Sequence, residues 1–170
     1  LLAHAVEKIQ LLFISLLSAN DLQVKYQSIL PEPIWNCLYA YYGKTKLQTD
    51  NDFDAYLTLL PVVINRASNS ISQKYITIAM DFPKEILIKT IEILYRFKRW
   101  TELYTFLLKK IKEQIQEDNE DWFRLAQCAY YNKDFSNAEK VFQNLLNKNY
   151  RQKEVKGYLL WIRGGRTGKW

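Results

Sequence analysis

Apolar side chains recur every three or four positions along most of the chain, with polar residues between them. This spacing places the apolar residues on one face of an α-helix. The pattern predicts an all-α fold of short helices over residues 2–18, 21–30, 33–43, 52–66, 71–82, 84–98, 101–116, 119–131, 135–148 and 151–163. Strand alternation competes only at "YITIAM", residues 75–80, which we also assign to a helix.

Proline and capping residues indicate where individual helices begin or end. Pro83 opens one predicted helix near its first turn, where the missing N–H costs nothing. Pro61 falls inside the predicted helix 52–66, so we expect a kink or an end there. Ser136 and Glu139 have the spacing of a capping box, which indicates a helix start.

The segment "DWFRLAQCAYYNKDFSNAEKVFQNLLNKNY", residues 121–150, has the pattern of two helices joined by a turn. Small residues at Ala126 and Ala138 would let the two helices approach closely. We expect the apolar residues of both helices to form core, holding one helix to the next. These residues are Trp122, Leu125, Ala126 and Ala129 in the first helix, and Phe135, Ala138, Phe142 and Leu145 in the second.

A second copy of this pattern precedes it by 35 residues. The turn "YRFKRW", residues 95–100, matches "YYNKDF", residues 130–135. Self-similarity at a fixed period is typical of helical repeat proteins. The apolar positions of the second copy are Leu87, Ile91, Trp100, Leu103 and Leu107.

The segment resembles a tetratricopeptide repeat, whose pattern is W-x2-L-G-x2-Y, then A-x3-F, then P. Trp122 and Leu125 match the first two positions, and Ala138 and Phe142 match the A-x3-F pair. The resemblance is strongest over Asn119–Gln152 and weaker over Glu85–Gln116 and Pro33–Pro61. The third copy begins at Trp35 and ends at Pro61, and residues 62–82 fit no copy.

The resemblance implies stacked antiparallel hairpins that form a solenoid with a concave groove for a partner peptide or helix. It implies no carboxylate clamp, because Phe123 and Gln127 stand where such a clamp has Lys and Asn. It further implies which positions face the groove. These are Asn36 and Ala40 in the first copy, Ile88, Glu92, Tyr95 and Arg96 in the middle copy, and Phe123, Gln127, Tyr130 and Tyr131 in the last.

The whole excess of positive charge lies at the C-terminal end. The formal net charge is +6, while residues 1–147 contain equal numbers of basic and acidic side chains. The basic residues of this end are Lys148, Arg151, Lys153, Lys156, Arg163, Arg166 and Lys169, opposed only by Glu154.

Aromatic residues are interleaved with these basic residues, and the pattern leaves several interpretations open. The basic end could be a solvated helix with a flexible tail at residues 164–170. It could also meet an acidic protein surface, nucleic acid or an anionic lipid surface. A nucleic-acid-associated helical domain is accordingly the alternative to a protein-binding one.

The residue types that support catalysis or metal binding are sparse. The single histidine, His4, has no His or Cys partner at ligand spacing. Asp50, Asp52 and Asp54 lack the glycine and glutamate of a calcium loop, and suit a helix start instead. The tail "GGRTGK" lacks the spacing of a phosphate loop. We therefore expect no enzymatic activity, no cofactor and no metal.

The longest apolar run near the start, "LLFISLL" at residues 11–17, is too short to span a bilayer. Cys37 and Cys128 lie on predicted apolar helix faces, which favours free thiols in a reducing compartment, with a single disulfide between them as the alternative. Because residue 1 is not methionine, we expect the chain to be processed or part of a longer protein. Together the patterns predict one helical-repeat domain over residues 1–163, acting in the cytoplasm as a scaffold, adaptor or chaperone within a multi-protein complex.

Overall fold

A computed structural model describes residues 50–115 and 118–167, with side chains over 53–115 and 118–164. These residues form α-helices joined by turns, with one short 3-10 helix at Ala79–Asp81 and no strand among them. The three helices predicted before residue 44, His4, Cys37, Asn36 and Ala40 lie outside the described residues. The helices are α1 (Asp50–Arg66), α2 (Asn69–Ile78), α3 (Lys84–Arg96), α4 (Trp100–Lys112), α5 (Asn119–Tyr131), α6 (Phe135–Asn147) and α7 (Gln152–Thr167).

The chain divides into two compact units, residues 1–86 and 87–170. In the described part of the first unit, α1 packs against α2. The ring of Tyr56 stacks on that of Tyr75 at 4.8 Å, and its hydroxyl donates to the Tyr75 backbone carbonyl at 3.0 Å. Phe82 meets Tyr56 edge-on, so the aromatic rings close this small core.

Pro61 does not end α1, which continues to Arg66. A proline inside a helix removes one backbone hydrogen bond and costs about 3 kcal/mol. Buried side chains lie on both sides of it, including Leu59 and Leu60 before and Val63 after. Their burial offsets that cost, so tertiary packing decides the continuation of the helix.

In the second unit α4 packs on α5, α5 on α6, and α6 on α7. A continuous core runs through α5, α6 and α7. The small residues Ala126 and Ala138 are both fully buried, as expected for closely approaching helices. The core comprises Phe123, Ala126, Ala129, Ala138, Phe142, Leu145, Val155, Leu159 and Ile162.

The helix bounds of the second hairpin reproduce those of the first after a shift of 35 residues. Helix α3 spans Lys84–Arg96 and α5 spans Asn119–Tyr131. Helix α4 spans Trp100–Lys112 and α6 spans Phe135–Asn147. The period read from the sequence therefore holds for both helices of each hairpin.

The same ending closes α3, α4, α5 and α6. After α5, Lys133 adopts a left-handed backbone with φ 65°, its N–H bonds the Tyr130 carbonyl, and the Asp134 N–H bonds the Ala129 carbonyl. This is a Schellman motif, which satisfies the last carbonyls of a helix. The left-handed residues of the four endings are Lys98, Gln114, Lys133 and Asn149, and the last two again follow the first two by 35 residues.

Acidic residues cap the start of α5 and α6. Asp118 and Asp121 form a capping box, each side chain accepting from the other's backbone N–H. At α6 the cap is Asp134, which accepts from the Asn137 N–H, so the predicted capping box at Ser136 and Glu139 is wrong. The Schellman ending of α5 brings Asp134 into the capping position, which leaves Ser136 inside the first turn.

The last helix continues to Thr167, beyond the point where the sequence pattern places the end of the folded domain. Within residues 50–115 and 118–167, no helix combines the length and apolarity needed to cross a membrane.

Candidate partner-binding surface

A line of hydrogen bonds joins α3, α5 and α7. The Tyr95 hydroxyl donates to Gln127 Oε1 at 3.1 Å, and Gln127 Nε2 donates to the Tyr158 hydroxyl at 2.9 Å. We call these three side chains the Tyr–Gln–Tyr bridge. Because one residue comes from each helix, α3, α5 and α7 present side chains to a common surface.

Arg124 covers the part of this surface between α3 and α5. Its guanidinium lies 4.5 Å from the centre of the Tyr95 ring and pairs with Glu92 at 2.5 Å and Glu120 at 3.1 Å. Burial acts to lower the pKa of Arg124, but the two carboxylates outweigh it and the pKa is raised. Arg124 thus fills the space between α3 and α5 on this surface.

Between α5 and α7 the surface opens into a concave pocket of about 450 Å³, which we call the aromatic pocket. Tyr131 is 46% exposed and Trp161 is 56% exposed. A Cβ built on Gly157 would meet no atom within 4 Å, so the glycine leaves this space open. The lining residues are Tyr130, Tyr131, Glu154, Gly157, Tyr158 and Trp161.

Aromatic contacts hold the pocket walls in place. Tyr131 stacks on Trp100 at 4.3 Å, and Tyr158 stacks on Phe142 at 4.7 Å. Tyr130 meets Tyr158 edge-on at 5.1 Å. Such pairs prefer defined geometries and contribute about 1 kcal/mol each beyond burial. The pocket is therefore shaped before any ligand enters.

Burial, reinforced by a hydrogen bond with Tyr131, raises the pKa of Tyr158 to about 12. The Tyr158 hydroxyl therefore stays protonated at neutral pH and adds no charge to the pocket wall.

The described residues that were predicted to face the groove fall into four groups. Tyr130 and Tyr131 line the aromatic pocket, and Tyr95 and Gln127 form the bridge. Glu92 and Arg96 are exposed on α3, and Ile88 is half-buried there. Phe123 lies elsewhere, being 1% exposed and in ring contact with Phe142, Tyr150 and Tyr158. It offers no surface to a partner because Phe142 of α6, Tyr150 of the following turn and Tyr158 of α7 surround its ring.

The predicted core residues of this hairpin differ in how deeply they are buried. Ala138 and Phe142 are fully buried. Trp122 is half-buried, and Phe135 keeps 36% of its surface exposed where its ring meets Tyr130 edge-on. Trp122 therefore lies at the edge of the core, whereas Phe135 belongs to the exposed apolar side chains, against the prediction.

Four lining residues were missed in the sequence: Glu154, Gly157, Tyr158 and Trp161. The reason is that the segment after residue 148 was interpreted as a basic end with interleaved aromatic residues, and its positions were not assigned to the groove. A signal was present, since Leu159 follows Leu125 by 34 residues and is likewise buried. Reading α7 as the first helix of a further hairpin would have placed its side chains beside those of α5.

Two arginines of the basic end make ion pairs with carboxylates. Arg151 bonds Glu120 at 2.9 Å and Glu154 at 3.1 Å, and its guanidinium lies 4.9 Å from the centre of the Phe123 ring. Arg163 bonds Glu139 at 3.0 Å. The exposed lysines are Lys148, Lys153 and Lys156, while the side chains of Arg166 and Lys169 lie outside those described.

No group of three or more His, Cys, Asp or Glu side chains that could hold a metal ion occurs among the described residues. Cys128 is a free, buried thiol in α5, and burial raises its pKa to about 12. Comparison of the chain with protein-family models, with curated proteins and with solved structures gives no match.

Proposed function

We propose that the protein is a helical-repeat interaction module of the tetratricopeptide type, binding a peptide or helix of a partner protein. The partner would lie on the surface formed by α3, α5 and α7 and insert a side chain into the aromatic pocket. In this proposal the protein acts as a scaffold or adaptor in a larger assembly, and the bound peptide is held by contact alone.

The 35-residue recurrence supports the repeat part of the proposal. Both helices and both endings of a hairpin reappear at this period. Repeats of this length stack into surfaces built from every second helix. The Tyr–Gln–Tyr bridge joins three such helices, which is the relationship that a shared binding surface requires.

The observation that carries the binding part is the aromatic pocket itself. Exposed Tyr and Trp side chains at the centre of a concave site are the residues that contribute most to protein interfaces. Tyr131 and Trp161 are exposed there, and Tyr131 is held in place by its stacking on Trp100. The protein therefore presents large apolar contact area at little cost in conformational entropy.

A peptide selection tests this proposal. The 170-residue chain is immobilised and used to select binders from a displayed library of random twelve-residue peptides, and selected peptides are then measured by fluorescence anisotropy. Substitution Trp161→Ala removes an exposed pocket ring and should weaken binding about tenfold or more. Leu108→Ala is the matched control, since Leu108 is a large exposed apolar residue of α4 outside the pocket.

Equal binding of the selected peptides to the Trp161→Ala variant and to the parent protein would contradict the proposed site. The alternative, nucleic-acid binding through the basic end, is tested by the same assay with generic single-stranded nucleic acid. Tight binding that falls steeply with added salt would favour that alternative. The carboxylate pairing of Arg151 and Arg163 favours the protein partner instead.

A further inference from the structure

A second pocket lies between α5 and α6 and shares no residue with the aromatic pocket. Its volume is about 180 Å³, and we call it the lysine pocket. The residues that line it combine apolar and basic side chains, and none of them is acidic. They are Trp122, Lys140, Val141, Asn144, Leu145 and Lys148.

Helix α6 supplies the basic and the apolar side chains of this pocket as two parallel rows. Lys140, Asn144 and Lys148 follow one another at intervals of four residues, which places them in one row along the helix. Val141 and Leu145 form the neighbouring row at the same interval, and Leu145 is fully buried. The pocket therefore has an apolar floor and a basic group at each end.

The two lysines of the pocket have no counter-charge among the described residues. Lys140 and Lys148 are exposed, and neither ammonium group makes an ion pair or a hydrogen bond with that part of the chain. Glu139 is the only acidic residue of α6, and it pairs with Arg163 of α7. Both positive charges are therefore available to a ligand.

The corresponding place in the earlier hairpin carries its own counter-charge. Glu113 stands 35 residues before Lys148, each of them following the last residue of its helix. Lys109 Nζ lies 3.5 Å from Glu113 Oε1, so this charge is balanced within the hairpin. Val141 stands 35 residues after Phe106, so the later hairpin also has the smaller side chain there. The lysine pocket thus differs from its counterpart both in charge and in side-chain size.

The spacing of the two lysines matches that of side chains on an extended peptide. Lys140 and Lys148 are eight residues apart, which corresponds to about 12 Å along a helix. In an extended chain, residues i and i+4 are about 13–14 Å apart, and their side chains point to the same face as that of residue i+2. Carboxylates at i and i+4 would thus reach the two lysines while the side chain of residue i+2 enters the pocket between them.

We propose that the lysine pocket binds an extended acidic segment of a partner protein, in which two carboxylates four residues apart flank an apolar side chain. The carboxylates pair with Lys140 and Lys148, and the apolar side chain lies against Trp122, Val141 and Leu145. The apolar floor favours a peptide over nucleic acid, whose phosphates would meet the lysines without filling the pocket. This second site is independent of the aromatic pocket.

The test follows the indole N–H resonance of Trp122 in the ¹⁵N-labelled 170-residue chain, assigned with a Trp122→Phe variant. The probe is the end-capped peptide Gly-Ser-Glu-Ser-Leu-Ser-Glu-Ser-Gly. We expect a saturable shift, with binding that weakens as salt is added. Binding should weaken about fivefold when both glutamates of the peptide are replaced by glutamine. It should also weaken when the glutamates are placed side by side or the leucine is replaced by serine.

Two double variants with the same loss of charge provide the matched comparison. Lys140→Gln with Lys148→Gln should weaken peptide binding about fivefold. Lys153→Gln with Lys156→Gln removes two exposed lysines of α7 and should leave binding nearly unchanged. Circular dichroism shows whether each variant is folded. Equal weakening in both double variants, no shift with the glutamate peptide, or equal binding of the glutamine peptide would overturn the inference.

Two further measurements separate this inference from the proposed function and from nucleic-acid binding. Trp161→Ala should leave binding of the glutamate peptide intact, whereas it should weaken peptides selected for the aromatic pocket. A generic single-stranded oligonucleotide that displaces the peptide and shifts the Trp122 resonance at physiological salt would assign the lysine pocket to nucleic acid and overturn the inference.

Discussion

Lys110 and Asp121 form an ion pair in the interior between α4 and α5. The Lys110 ammonium lies 2.7 Å from Asp121 Oδ1 and 2.8 Å from Oδ2. The two side chains are only 10% and 3% exposed. Asp121 also accepts the Asp118 backbone N–H at 3.2 Å, so the pair joins one hairpin to the cap of the next.

Lys110→Met should destabilise the protein by about 3–5 kcal/mol, because it leaves a buried carboxylate without its counter-charge. The double variant Lys110→Met with Asp121→Leu should be less destabilised than the sum of the two single variants, since it leaves no unpaired charge. Urea denaturation followed by circular dichroism measures all three. A cost below about 1 kcal/mol for Lys110→Met would contradict the buried pairing.

Gln127→Leu should destabilise the protein by about 1–2 kcal/mol, because it removes both hydrogen bonds of the Tyr–Gln–Tyr bridge while keeping the side-chain volume. Gln143→Leu is the control, as the hydrogen bonds of the Gln143 amide are exposed. Its cost should stay within about 0.5 kcal/mol. Equal costs in thermal or urea unfolding would show that the bridge adds nothing to stability.

Lys133→Gly should stabilise the protein by about 1 kcal/mol, because Lys133 has a left-handed backbone that strains any residue with a Cβ. Lys98→Gly should act similarly at the corresponding position. Lys140→Gly provides the opposite control, since Lys140 lies within α6 and glycine there should cost about 1 kcal/mol. The unfolding midpoints of Lys133→Gly and Lys98→Gly should therefore rise, and that of Lys140→Gly should fall.

Cys128 should resist thiol reagents in the folded protein, because burial raises its pKa from 9.0 to about 12 and hides the sulfur. In a Cys37→Ser background, a chromogenic disulfide reagent near neutral pH should label Cys128 only after denaturant is added. Rapid labelling of the folded chain would contradict its burial.

The same shift predicts a pH dependence with a definite sign. Below pH 9.0 the thiol is protonated in both the folded and unfolded states and has no effect on the pH dependence. As pH rises from there toward about 12, the unfolded chain loses the proton first, so stability falls. Cys128→Ala should lose less stability than the parent protein over this range.

The helices of the described region could be predicted closely because local sequence determines them. The predicted segments 119–131 and 135–148 match α5 and α6 to within one residue. The turns of the two hairpins also correspond, because Lys98 and Lys133 are 35 residues apart and both have a left-handed backbone. Periodicity and repetition are properties of neighbouring residues, so one sequence suffices to read them.

The candidate binding surface was harder to predict because it depends on how the helices pack against one another. Phe123 occupies a position that the repeat pattern assigns to the groove, yet side chains of α6, of α7 and of the turn between them bury it. In the sequence, Arg151 belongs to a run of basic residues. Its contacts with Glu120 and Phe123 become apparent only once the helices pack. Contacts between side chains thirty residues apart need the fold before they can be assigned.

The packing of α4 on α5, of α5 on α6 and of α6 on α7 also governs how the second unit folds. Contacts such as α4 with α5 and α6 with α7 join segments close along the chain, and such proteins fold quickly because little loop entropy is lost. Local opening can then proceed helix by helix. One wall of the aromatic pocket is α7, so a ligand there would slow amide hydrogen exchange along Gln152–Thr167 as well as at the residues that it touches.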